Sequence, residues 1–320
     1  MKILDSYAHV ALPRFMSADE FLRVMDDNDV ESAMLCTAET CPDLAELSRA
    51  IVNHPGRFRS AGLPLGDSPA NILDSVKAQL DSGFIGIRLP DTLASRQPEI
   101  LDALGQAGGI PFMVGSDGFR VAAEVLHGFL ERYPGCVVCA PHFAAPSVPS
   151  LFDSDQAVRR LFSHPRFLVI FSRQGAFEPG ELLAWTRALT GVVGWDRIMY
   201  GSEYPVALYR DESYASTVEW IDNSGLSPDA AQKDAYLRGN ALKHIFSRPA
   251  AKPAALAQKW CRMDLKRDAP VWLFRNPVRE IPEGTNRKIL EAFMAQGGEK
   301  AGSYRDFVTR FLAGSQRMLS

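Results

Sequence analysis

The 320-residue sequence lacks the features that mark several specialised classes of protein. Its five cysteines are too few for a disulfide-stabilised scaffold, which favours a reduced, cytoplasmic protein. No segment approaches the roughly 18 consecutive apolar residues of a membrane-spanning helix. The N-terminus leads directly into a predicted strand, so no signal peptide is expected. The net charge of −3 provides no basic surface for nucleic acid.

Motifs for binding nucleotides are missing as well, since no predicted strand is followed by a Gly-x-Gly-x-x-Gly turn and no Walker-type loop occurs. The sequence instead alternates short apolar runs with longer amphipathic segments, which is typical of parallel βαβ units. Eight runs are candidate strands, at residues 2–10, 31–37, 59–65, 84–89, 110–115, 136–141, 167–172 and 198–203. Eight such repeats predict a (β/α)8 TIM barrel, whose chemistry lies at the carboxyl ends of its strands.

The repeating pattern ends near residue 248, where a segment rich in Pro and Ala is typical of a linker. We therefore predict a barrel over residues 1–248 and a mainly helical C-terminal extension over residues 249–320. Within the extension, residues 286–295 and 304–318 have the spacing of amphipathic helices. Its aromatic side chains need an apolar surface to cover them. We expect the extension to pack on the barrel or on the second subunit of a homodimer.

Polar side chains occur where several of the predicted strands end. Tyr7 and His9 lie two residues apart on the first strand, so they point to the same face. Arg88, His142 and Glu203 follow the apolar runs of the fourth, sixth and eighth strands. Because the carboxyl ends of all eight strands meet at one barrel mouth, these side chains are predicted to face a common cavity.

Two of these strand ends resemble those of a known enzyme family. Positions 5–9 read Asp-Ser-Tyr-Ala-His and positions 201–205 read Gly-Ser-Glu-Tyr-Pro. They are similar to the Asp-x-His-x-His and Gly-Ser-Asp-Tyr-Pro motifs of the amidohydrolase-related family. The resemblance extends over residues 1–248 and implies a TIM barrel related to metal-dependent hydrolases and decarboxylases.

The resemblance also implies a divalent-metal site, but only part of its ligand set is present. His9 and Glu203 match two ligand positions, whereas Tyr7 and Gly115 stand where the family has histidines. A catalytic zinc needs three protein ligands and an open position. We therefore expect no required cofactor, and Zn or Mn held by His9 and Glu203 is the alternative. The space at position 115 is predicted to be filled by substrate or by the next two side chains, Ser116 and Asp117.

The strand ends supply a set of predicted catalytic roles. Glu203 would activate water or abstract a proton, and His142, His9 and Tyr7 would stabilise an oxyanion. Arg88 would either pair with Glu203 or bind a substrate carboxylate in a bidentate contact. Three further residues are predicted to bind substrate at the ends of the fifth and seventh strands: Ser116, Ser172 and Arg173.

These residues predict an amidohydrolase-like hydrolase that acts without an essential metal on a small anionic substrate, a carboxylate-bearing lactone, amide or ester. The first alternative is a decarboxylase or another carbon–carbon lyase of the same family. The second is a non-catalytic pseudoenzyme that binds a ligand, which the two replaced metal ligands favour. Polar residues retained at several separate strand ends favour an enzyme instead.

Overall fold

A computed structural model describes residues 2–12, 14–248, 270–272 and 280–317. Eight parallel strands form one sheet in chain order, from β1 to β8. Their bounds are β1 Ile3–His9, β2 Val30–Cys36, β3 Phe58–Gly62, β4 Gly86–Pro90, β5 Ile110–Val114, β6 Val138–Ala140, β7 Phe167–Phe171 and β8 Ile198–Tyr200. Helices follow the strands around the outside, so the predicted (β/α)8 TIM barrel is confirmed.

The barrel closes between β1 and the segment that follows β8. The backbone N–H of Glu203 donates to the carbonyl of Tyr7 at 2.8 Å, and that of His9 donates to the carbonyl of Tyr204, also at 2.8 Å. Gly201 permits this close approach, because a Cβ atom there would lie 2.9 Å from the Cβ of Tyr7. The closure therefore brings the polar ends of the first and last strands together.

The outer helices bury one face each against the strands. The first begins at Ser17, whose side chain and that of Glu20 form the reciprocal capping box that the sequence pattern indicates. The helices of the barrel that reach eight residues are Ala18–Asp27, Leu44–Asn53, Pro69–Asp81, Glu99–Ala107, Ala123–Arg132, Gln156–Ser163, Pro179–Val193 and Tyr214–Asn223. Within the described part of the chain, no helix has the length and apolar character needed to cross a membrane.

The last barrel helix is anchored at β8 by an asparagine. It begins at Ala230–Asp234 and continues through two π-helical turns to Phe246. The side-chain amide of Asn240 donates to the carbonyls of Trp195 and Ile198, at 2.7 and 2.8 Å. Asn240 thus ties the last barrel helix to the start of β8.

The described part of the C-terminal extension contacts the barrel directly. Its two longest helices are Glu283–Ala295 and Tyr304–Arg317, and a short antiparallel pair of strands, Pro270–Trp272 and Glu280–Pro282, precedes them. Arg287 contacts both carboxylate oxygens of Glu20, at 2.8 and 3.1 Å. Residues 249–269, 273–279 and 318–320, which include most of the predicted linker, lie outside the described residues.

Candidate active site

Glu203 lies at the centre of the barrel mouth, immediately after β8. Its backbone has φ of 53°, a left-handed conformation that costs free energy in a residue with a side chain. The hydrogen bond from its N–H to Tyr7 holds this conformation. Only 3% of Glu203 is exposed. A buried carboxylate in a strained backbone is typical of a functional position.

Two arginines and a histidine approach the Glu203 carboxylate from two sides. Arg210 Nη2 lies 2.7 Å from Oε2, as an ion pair rather than a well-aligned hydrogen bond. His142 Nε2 and Arg173 Nε approach the other oxygen, Oε1, at 3.7 and 3.9 Å, which is beyond ordinary hydrogen-bond distance. One oxygen is therefore clamped, and the other faces the mouth.

Arg210 is a site residue that the sequence reasoning missed. It ends a 3₁₀ turn, Val206–Arg210, several residues beyond β8, and it is mostly buried. Its Nε donates to Glu212 Oε2 at 2.8 Å, so Arg210 lies between two carboxylates. Burial raises the pKa of Glu212, and Arg210 opposes part of that rise. The one sequence signal was a charged run at 210–212 in an otherwise apolar loop.

Arg88, on β4, and Tyr7, on β1, form a pair across the mouth. Arg88 Nε donates to the Tyr7 hydroxyl at 2.9 Å. Burial raises the pKa of the Tyr7 phenol well above its ordinary value, so it stays neutral and keeps its own proton for donation. Of the two predicted partners of Arg88, Glu203 is the wrong one, because the ion pair with Glu203 is made by Arg210.

The two imidazoles of the site are adjacent to the Tyr7 ring. The ring centroids of His9 and His142 lie 5.2 and 5.0 Å from that of Tyr7, both edge-on. Burial lowers the pKa of His9 to about 3, and burial together with the Arg173 charge lowers the pKa of His142 well below its ordinary value. Both imidazoles are therefore neutral at neutral pH.

Each imidazole is also held in place by a neighbour. His9 stacks on Phe15 at 5.1 Å, and its Nδ1 lies 3.4 Å from the Cys36 thiol. His142 lies in a left-handed turn after β6, where the Ser172 hydroxyl accepts from its backbone N–H at 3.0 Å and contacts its Nδ1 at 3.1 Å. Ser172, a predicted substrate-binding residue, thus orients His142.

The space beside Gly115 is occupied by Asp91. A Cβ atom on Gly115 would lie 2.0 Å from Asp91 Oδ2, so no larger side chain fits there without displacing that carboxylate. Asp91 accepts the backbone N–H of Ser116 at 3.1 Å. The side chains of Ser116 and Asp117 are exposed. The prediction that they fill the gap is therefore wrong.

The residues present do not fit the divalent metal that the sequence resemblance implies. Asp91 takes the space of one ligand, and the Tyr7 oxygen already accepts a hydrogen bond from Arg88. The Arg210 guanidinium already neutralises the Glu203 carboxylate through Oε2, and a second cation beside this ion pair would cost electrostatic repulsion. Among the described residues, no group of three or more His, Cys, Asp or Glu side chains has the arrangement of a metal site.

A closed parallel barrel with titratable groups at its carboxyl end has the architecture of TIM-barrel enzymes. Residues 2–245 match the amidohydrolase family, Amidohydro_2, and the chain belongs to this family. It is an enzyme, a hydrolase or a lyase. No curated protein sequence matches the chain.

Solved structures of low sequence identity share the barrel. A probable 2-pyrone-4,6-dicarboxylic acid hydrolase from Acinetobacter baumannii, with citric acid bound, is 15% identical, with a TM-score of 0.59 over 76% of this chain and 98% of that one. An amidohydrolase from Burkholderia multivorans with bound zinc is 16% identical, with a TM-score of 0.59 over 78% and 100%. The 5-carboxyvanillate decarboxylase of Sphingomonas paucimobilis is 14% identical, with a TM-score of 0.57 over 76% and 98%.

Proposed function

We propose that the protein hydrolyses a small lactone, amide or ester that carries a carboxylate, and that it needs no metal for this reaction. The observation that carries the proposal is the asymmetric environment of Glu203. Arg210 fixes one carboxylate oxygen at 2.7 Å, and the other faces the mouth beside His142. A carboxylate held in this way is preorganised to take a proton from water.

In the proposed reaction, Glu203 Oε1 takes a proton from a water molecule while the water oxygen attacks the substrate carbonyl carbon. The carbonyl π electrons move to the carbonyl oxygen and form a tetrahedral oxyanion. When the oxyanion collapses, the bond to the leaving oxygen or nitrogen breaks. That atom receives the proton from Glu203. The carboxylate is regenerated, and the product is a ring-opened or cleaved acid.

The Tyr7–Arg88 pair supplies stabilisation for the oxyanion. The Tyr7 hydroxyl accepts from Arg88, which polarises the phenol and strengthens the hydrogen bond that it donates in turn. The neutral imidazoles of His9 and His142 each retain one N–H that serves as a second donor. Preorganised donors of this kind contribute several kcal/mol to acyl transfer, roughly 2.7–4 kcal/mol for one oxyanion-hole donor.

Two arginines are available to bind the substrate carboxylate. Arg88 donates to Tyr7 through Nε, so its two Nη groups are proposed to bind the substrate carboxylate. Arg173 is 47% exposed at the rim of the mouth, where it can meet an incoming anion. The Acinetobacter relative carries the name of a dicarboxylic acid hydrolase. We accordingly propose lactone carboxylates of this kind, including 2-pyrone-4,6-dicarboxylate, as the first substrates to assay.

Substitution of Glu203 by Gln tests the role of this carboxylate. The change keeps the size of the side chain and removes its basicity, so kcat should fall by roughly 10²–10⁴ with little change in KM. Steady-state hydrolysis of the lactone panel provides the measurement. Glu212→Gln is the matched control, because Glu212 contacts the same guanidinium from the other side. Its kcat should stay within about tenfold of wild type.

The same assay separates hydrolysis from the alternatives. Hydrolysis of a lactone releases one acid and no CO₂, whereas decarboxylation releases CO₂ and leaves the ring closed. Activity should persist after dialysis against a chelator, and the purified protein should contain well under one equivalent of Zn or Mn. Stoichiometric metal together with loss of activity on chelation would contradict the metal-free mechanism. Full turnover by Glu203→Gln would contradict the role of Glu203.

A further inference from the structure

The described part of the C-terminal extension contacts the two loops that flank the proposed site. The first loop follows β1 and ends at Phe15, which stacks on His9. The second follows β8 and carries Arg210, the partner of Glu203. The family match ends at residue 245, so the extension lies beyond the part of the chain that defines the family.

Asn286 of the extension bridges these two loops. Its side chain is fully buried, and its Nδ2 donates to the Arg14 carbonyl at 2.8 Å and to the Tyr209 hydroxyl at 2.8 Å. The Tyr209 hydroxyl donates in turn to the same Arg14 carbonyl at 2.7 Å. The Tyr304 hydroxyl donates to Asn286 Oδ1 at 3.3 Å. A closed network of buried hydrogen bonds thus joins the residues next to Phe15 and Arg210.

Two further contacts secure the β8 loop to the extension. Arg305 pairs with Asp211 at 3.0 Å, immediately after Arg210. The Glu299 carboxylate accepts the backbone N–H of Tyr214 at 3.1 and 3.2 Å, at the start of the helix that ends this loop. Three successive parts of the loop therefore have partners in the extension.

We propose that the described part of the C-terminal extension sets the geometry of the active site, with Asn286 as its main positioning residue. Asn286 acts through Tyr209 on Arg210, and Arg210 holds the Glu203 carboxylate. Through Arg14, the same side chain holds Phe15 against His9. The consequence for turnover rests on the proposed function, whereas the consequence for the order of the loops does not.

Full-length Asn286→Asp tests this proposal. The substitution keeps the size of the side chain and replaces two N–H donors by an acceptor. Hydrogen–deuterium exchange of the backbone amides at 206–212 should become at least about tenfold faster than in wild type. On a hydrolysed lactone, kcat should fall by about tenfold while KM stays within about threefold, because the base is misplaced and the substrate arginines are not.

Arg287→Ala is the matched control. Arg287 is the next residue on the same helix, but its described partners are Glu20, in the first barrel helix, and Glu291, in its own helix, and neither belongs to the β8 loop whose exchange is measured. This variant should loosen the extension and leave both exchange at 206–212 and kcat within twofold of wild type. Tyr209→Phe removes the bridging hydroxyl from the loop side and should reproduce the effect of Asn286→Asp if that variant fails to fold.

The outcomes separate the proposals. Unchanged exchange at 206–212 in both Asn286→Asp and Tyr209→Phe would overturn the positioning role. Equal acceleration by Arg287→Ala would overturn it too, because the effect would then be general loosening. Faster exchange with unchanged kcat would overturn the link to turnover. If wild type hydrolyses no lactone, the proposed function fails, and the exchange data still decide whether Asn286 orders the loop.

Discussion

The barrel contains two buried carboxylates beside the seam between β1 and β8, and they differ in how their charge is satisfied. Asp5 is fully buried, contacts the outer helix Tyr214–Asn223, and accepts four hydrogen bonds, from the backbone N–H groups of Tyr7 and Ser202 and the hydroxyls of Ser202 and Tyr214. Glu203 lies at the mouth and is partnered mainly by the cation Arg210. Asp5 has both oxygens occupied, whereas Glu203 has one that faces the cavity.

This difference distinguishes the structural role of Asp5 from the chemical role that we propose for Glu203. Neutral donors around both Asp5 oxygens leave no room for a reactant. Even so, burial raises the pKa of the Asp5 carboxyl against the opposing effect of those hydrogen bonds. Glu203 combines a strained backbone, which costs stability, with an open oxygen, which suits the proton transfer that we propose for it. Substitution of Asp5 should therefore mainly lower stability, whereas substitution of Glu203 should mainly lower activity.

Removal of the Asp5 carboxylate should have the largest effect on stability. Asp5→Ala leaves four buried donors without their acceptor, and the free energy of unfolding should fall by about 4 kcal/mol. Urea unfolding followed by circular dichroism provides the measurement. Ser6→Ala is the control, since the adjacent buried Ser6 hydroxyl has no hydrogen-bond partner within the described structure. A loss of unfolding free energy below about 1 kcal/mol for Asp5→Ala would contradict the structural role of this carboxylate.

Acidification should change the contributions of His9 and Asp5 to folding stability in opposite directions. His9 has a pKa of about 3 in the folded protein against an ordinary value of 6.5, so between these pH values the unfolded chain binds more protons. The contribution of His9 to the free energy of unfolding is therefore present above pH 6.5 and is lost as the pH falls toward 3. For Asp5, whose folded pKa is raised, acidification has the reverse sign, and stability is lost as the pH rises through that pKa.

The His9 contribution is measured by comparing wild type with His9→Phe. Between pH 6.5 and 4.5, the free energy of unfolding of wild type should fall by about 2–3 kcal/mol more than that of the variant. Parallel urea titrations of both proteins at the two pH values supply these free energies of unfolding. Equal losses in the two proteins would mean that His9 is protonated in the folded state, contrary to its burial.

The smallest predicted effect concerns the orientation of His142. Ser172→Ala removes the hydroxyl that contacts both the backbone N–H and Nδ1 of His142, and kcat should fall by about tenfold, equivalent to about 1.4 kcal/mol. Ser147→Ala, which removes a hydroxyl bonded to the exposed Asp117, is the control and should leave kcat unchanged. Equal rates for the two variants would show that Ser172 does not orient the imidazole.

Local pattern was sufficient to predict the barrel and its strand ends. Each strand is a short apolar run bounded by polar residues, and the alternation along β1 places Tyr7 and His9 on one face. Because parallel strands end at one mouth, the pattern also predicted that Arg88, His142 and Glu203 lie near one another. The structure places all of these side chains there.

The parts that sequence could not supply depend on contacts across long separations in the chain. Arg210 lies beyond β8 in a turn with no periodic signal, so its contact with Glu203 appears only in three dimensions. The same is true of Asp91, which fills the space beside Gly115 from a different strand end. Likewise, no local pattern links Asn286 to the loop after β1.

The seam between the first and last strands has a further consequence for the synthesis of the enzyme. Asp5 and Ser202, which bond across it, are 197 residues apart in sequence. The ribosome must therefore release nearly the whole barrel before β1 gains its second neighbour, and until then its edge is open to other chains. Tyr7 and Glu203 meet at that same seam. Catalytic competence should consequently require ring closure, so that a newly made chain turns over no substrate before this seam has formed.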